Sequence, residues 1–114
     1  MSDLWGEIRA VLGMLDTALS ESKKRGEAMV LAEAEYYSAK AEAVYRLKGD
    51  GMPATLVMAV VKGEQEVAGK MAAFHAAQIE YENAREARNV YKKKLDTLRE
   101  QYAREWGRAG GMDT

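Results

Sequence analysis

The chain has 114 residues, 47% of them hydrophobic, with 17 basic and 18 acidic side chains and a net charge of −1. That length suits one domain around one core, and the near-neutral balance excludes a whole-molecule field pulling it toward nucleic acid or an anionic membrane. The lack of cysteine excludes disulfides, thiolate chemistry and zinc knuckles, while a composition rich in Ala, Glu, Lys, Leu and Arg with a single proline points to long helices.

Ser2 and Asp3 offer an N-cap to a helix whose apolar positions recur at Leu4, Ile8, Val11, Leu15 and Ala18. Alternating steps of four and three keep such a stripe on one helical face. The register continues through Ser22, Arg25, Met29, Ala32, Tyr36, Ala39 and Ala43 to Leu47, predicting a helix over about 3–48. From Ser20 to Gly26 the stretch turns polar, and glycine costs about 1 kcal/mol relative to alanine, so a bend, a frayed turn or a short break is expected near 20–26.

Lys48-Gly49-Asp50-Gly51-Met52-Pro53 supplies two glycines and the only proline, which ends the first helix in a turn over 49–53. Residues 54–62 are apolar on several sides and predict a short helix across the closed end, with Gly63 as its terminator. From Glu64, Val67, Phe74, Tyr81, Arg88, Leu95 and Tyr102 recur every seven residues, joined by Ala77, Ala84, Tyr91 and Leu98. They predict a second long helix over 64–106, leaving 108–114 as a flexible tail. With so short a break, each long helix covers its apolar stripe only by folding back on the other. The expected fold class is therefore all-α: residues 1–107 form a single helical domain, a coiled-coil-like antiparallel hairpin with a short helix at its closed end.

A lone hairpin has one internal seam and leaves apolar surface uncovered. Met52, Leu56, Val57, Val60 and Val61 are the expected oligomer surface, and a dimer of hairpins, or a higher oligomer, would complete a helical bundle. Two polar rows flank the seam: Glu7, Glu21, Glu35 and Glu42 on the first helix, Arg85, Lys92 and Arg99 on the second. Folding back about residue 56 would bring Glu21 near Tyr91 and Lys92, so the rows either pair with each other or face a partner. Residues 85–108 carry eight Lys or Arg against four acids, and Arg85, Arg88, Lys92, Lys93 and Arg99 are the candidate surface for a protein partner or nucleic acid.

Little here suggests catalysis. His75, the only histidine, has no metal-ligating neighbour three or four residues away, and Ser20, Ser22, Ser38 and Thr55 have no histidine near them in sequence. Gly49-Asp50-Gly51 lacks the further acids of a calcium loop and the Gly-Lys-Ser/Thr of a phosphate loop. No catalytic residue, metal site or cofactor is expected. The N-terminal residues show no basic leader and apolar run, and 18 successive apolar residues occur nowhere, so a cytoplasmic protein without membrane contact is expected.

The run of Tyr36, Ala39, Ala41 and Ala43, then Gly51-Met52-Pro53-Ala54-Thr55-Leu56, Lys62-Gly63-Glu64 with Val67-Ala68, and a Tyr81-to-Leu98 helix closing in Arg104-Glu105-Trp106, resembles small all-helical phage and prophage early-gene accessory proteins. The resemblance covers about residues 30–106 and implies a role in recombination, replication or resistance to host defences, with no active-site residues to carry over. The expectation that follows is a non-enzymatic accessory or inhibitor protein that binds a host or phage protein of nucleic-acid metabolism or antiviral defence. A nucleic-acid-binding recombination or replication accessory and an oligomeric sponge for a small nucleotide signal are the alternatives.

Overall fold

The four-and-three spacing produces the helix it predicts. The structure, a computed structural model, describes the backbone of residues 3–112 and the side chains of residues 3–107. Helix α1 runs unbroken over Leu4–Gly49, α2 over Ala54–Gly63 and α3 over Gln65–Met112, and there is no strand among the described residues. At the start of α1 the Gly6 amide donates to Asp3 Oδ1 at 3.0 Å, which satisfies one of the orphan donors of the first turn. Ser2, the other expected cap, lies outside the described residues.

The expected turn is built on Gly51, whose φ of 87° makes it the only positive-φ residue among those described. Its amide donates to the Lys48 carbonyl and that of Met52 to the Leu47 carbonyl, both at 3.1 Å, the pair of bonds that closes a helix around a left-handed residue. Met52 also packs on the core cluster that contains Leu47, the apolar contact usual for this closure. Pro53 then precedes α2, and its carbonyl accepts the amides of Leu56 and Val57 at 2.9 and 3.2 Å. The end of α2 differs from expectation. Gly63 is the last helical residue and keeps a negative φ, while the break falls at Glu64, extended at φ −67° and ψ 134°.

The chain packs as two compact units, one of residues Lys24–Glu82 and the other of the segments on either side of it, and both long helices contribute to each. In the Lys24–Glu82 unit, Ala39, Ala43 and Leu47 of α1, Val57 and Val61 of α2 and Val67 of α3 form one buried cluster. Val61 and Val57 are 0% and 1% exposed, and each contributes about 1.5–3 kcal/mol by leaving water. The alanines of α1 leave room for the valines of α2. Farther along, Tyr36 stacks on Phe74 with ring centroids 6.2 Å apart and 17° between planes.

Gly26 belongs to this unit and explains itself by packing. A Cβ there would lie 3.2 Å from Tyr81 Cε1, so the bare glycine admits the tyrosine ring to the helix surface. The break expected near 20–26 is absent because the polar stretch has tertiary partners. Ser22 is 5% exposed, and Arg25 pairs with Glu80 at 2.9 Å. Packing along α3 outweighs the local propensity loss.

In the other unit Leu4, Ile8 and Val11 of α1 bury against Leu95 of α3, with Leu15 and Leu98 beside them. Trp5 meets Tyr102 with centroids 6.1 Å apart at 45°. Helix α3 does not end near Trp106: it continues to Met112, since glycines weaken a helix by about 1 kcal/mol each while only proline would remove a donor. Of the residues expected as a tail, 108–112 therefore have helical backbone, and Asp113 and Thr114 lie outside the described residues.

Candidate functional site

Two apolar rows run along α2, and the five residues expected at an oligomer surface divide between them. Val57 and Val61, four residues apart, are buried in the chain's own core and cannot meet another molecule. Met52 is half-buried on the same cluster. Leu56 and Val60 point outward, 53% and 39% exposed, joined by Met58. This corrects the sequence expectation. Both rows are apolar, so periodicity could not say which one α1 and α3 would cover.

Exposed apolar side chains lie on α1 as well, outside its seam row. Val30, Leu31, Tyr37 and Tyr45 stand 65%, 63%, 56% and 84% exposed. Tyr37, Ala41, Val44 and Tyr45 line a shallow trough with Lys40 and Lys48. A signal for it existed: Val30, Ala34, Tyr37, Ala41 and Val44 repeat at four and three residues, as the seam does, but the stronger seam row obscured it.

The acidic and basic rows do not meet as expected. Glu35 accepts from Lys70 at 3.3 Å, and Arg46 reaches Glu64 at 2.5 Å. The Glu64 carboxylate, by hydrogen bond and charge, holds the Arg46 guanidinium above its ordinary pKa. These pairs, with Tyr36 opposite Phe74 and Trp5 opposite Tyr102, centre the fold-back on residues about 53–55 rather than 56. With Arg25 on Glu80 and Gly26 on Tyr81, the residues facing Glu21 shift by about one to two helical turns from Tyr91 and Lys92.

Of the candidate cations, Arg85, Lys92, Lys93 and Arg99 are exposed, and among the described residues none of them forms an ion pair. Arg85, Lys92 and Arg99 follow one another at seven-residue steps, in one row over about 21 Å of helix. Arg88 differs. It occupies the seam row between Tyr81 and Leu95, is half-buried, and its Nε is buried without a hydrogen-bond partner. It cannot offer its guanidinium as freely as the others. Lys93 lies to one side of the row, and Lys94 lines a groove of about 190 Å³ with Glu7, Ala10, Val11, Met14 and Leu98.

His75 is exposed, with its ring 5.7 Å from that of Phe74. Among the described residues no group of three His, Asp or Glu side chains could hold a metal ion, and no helix is long and apolar enough to cross a membrane. Glu35, Glu42, Glu66, Ser38 and Lys70 line a shallow trough with Ala34 and Ala39, a polar surface already joined by the Glu35–Lys70 pair. Compared with known proteins, the chain matches no family model, no curated protein and no solved structure.

Proposed function

We propose that the protein acts by binding another protein, as a non-enzymatic accessory or inhibitor of the phage type it resembles, in the cytoplasm of a host cell. The observation that carries this reading is the row Arg85, Lys92 and Arg99. Where Arg25, Arg46 and Lys70 pair with Glu80, Glu64 and Glu35, these three cations have no partner among the described residues. A straight row of unpaired positive charge suits an acidic helix or strand of a partner, a protein of nucleic-acid metabolism or antiviral defence. Exposed apolar side chains on all three helices, among them Tyr45, Leu56 and Trp106, support self-association alongside partner binding.

The test uses immobilised protein exposed to nuclease-treated lysate of the source cells. Proteins held by the wild type and released by Arg85→Glu/Lys92→Glu/Arg99→Glu support the reading; a retained set indifferent to those changes refutes it. The same row favours one alternative, contact with nucleic-acid phosphates. In that case binding to single- or double-stranded oligonucleotides weakens with salt, and neutralising the three residues lowers the logarithmic salt slope by roughly 2–3. Absence of salt-sensitive oligonucleotide binding at physiological ionic strength removes that alternative.

A further inference from the structure

Helix α1 carries two apolar rows, and the outer one is covered within the chain only at Val44, which packs on the buried cluster. The seam row, with Ala39, Ala43 and Leu47, is buried against α2 and α3. The outer row of Val30, Ala34, Tyr37, Ala41 and Val44 lies roughly 140° around the helix from it, with Val30 and Tyr37 65% and 56% exposed. We propose that this outer row is the contact face of a homodimer, in which α1 of one copy crosses α1 of a second copy antiparallel about a two-fold axis beside residue 39. The proposal rests on the self-association put forward above and assigns it a face other than α2.

The row itself argues for a second copy as occupant. Reversed against itself about residue 39, it sets Tyr37 against Ala41 and Val44 against Ala34, large on small, and lays Val30 against the aliphatic stem of Lys48. Lys48 at one end of the row then approaches Glu27 of the second copy, and the symmetry repeats that opposite-charge pair at the other end. Leu31 and Tyr45 face each other across the flank, where Tyr45 is 84% exposed in the single chain. Lys40 meets its own copy near the axis. Its ammonium lies 6.0 Å from the centroid of the Tyr36 ring, over a residue packed on the seam cluster, which turns its charge away from the axis. Val30, Leu31, Tyr37 and Tyr45 leave on the order of 500 Å² exposed per copy, against roughly 800 Å² per partner in a standard interface. An interface of that size is a weak one, so its test needs high protein concentration.

The chain lacks cysteine, so single cysteines report on the contact without background. Sedimentation velocity is expected to give a dimer mass at about 100 µM for the wild type and a monomer mass for Tyr37→Glu/Ala41→Glu, which sets like charges against each other, with helical circular dichroism unchanged because both sites are exposed. Under mild oxidation Ser38→Cys, beside the axis, is expected to form a disulfide-linked dimer at least about 10-fold faster than Glu82→Cys on α3. A monomeric wild type at about 100 µM overturns self-association and this face together. A dimer untouched by Tyr37→Glu/Ala41→Glu, with Ser38→Cys linking no faster than Glu82→Cys, overturns the face and leaves self-association standing.

Discussion

Val61→Ala separates a core role for α2 from a surface role. Val61 is 0% exposed and sits among Ala39, Ala43, Leu47, Val57 and Val67, so the change removes two buried methyl groups from a closed cluster. At about 0.8 kcal/mol per group the lost transfer free energy is roughly 1.6 kcal/mol. A residual cavity of about 40 Å³ at about 24 cal/mol per Å³ adds close to 1 kcal/mol, for an expected loss of about 2–3 kcal/mol. Val60, one residue away on the outer row of α2, is 39% exposed, and Val60→Ala should change stability by less than about 0.5 kcal/mol. Urea unfolding followed by circular dichroism at two protein concentrations measures both. Equal losses for the two variants, or a Val61→Ala loss below about 0.5 kcal/mol, would refute the assignment of Val61 to the monomer core. So would a Val61→Ala loss that appears only at the higher concentration, since an interface residue would act through association.

Three further substitutions probe α1 and its N-terminal cap. Gly13 has nothing within 4 Å of where a Cβ would stand, so Gly13→Ala should stabilise by up to about 1 kcal/mol, whereas Gly26→Ala meets Tyr81 at 3.2 Å and should gain less or lose. Thermal unfolding of the pair compares them directly, and an equal gain at both sites would contradict the packing of Tyr81 on Gly26. Asp3→Ala removes the acceptor for the Gly6 amide and should cost about 0.5–2 kcal/mol, read as faster amide hydrogen exchange confined to the first turns of α1.

The helices themselves were legible in the sequence. The spacing from Leu4 to Leu47 and from Val67 to Tyr102 writes two long amphipathic helices, and Gly51 with Pro53 writes the reversal between them, since helical period and backbone restriction are local properties. That local information also gave the all-α class and the helix pair with its short companion. Gly26 was misleading for the same reason: its propensity cost is local, while the tyrosine ring that occupies its bare face comes from α3. Which of two apolar rows lies inside depends on how helices dock. Only the tertiary structure buried Val57 and Val61 while leaving Leu56 and Val60 in solvent, and only it left Val30 and Tyr37 of the outer α1 row exposed. The same holds for charge: composition counted 17 cations, but pairing Lys70 with Glu35 and leaving Arg85, Lys92 and Arg99 without a partner among the described residues needed the register of one helix on the other. A one-turn shift in that register exchanges partners, and nothing within either helix sets it.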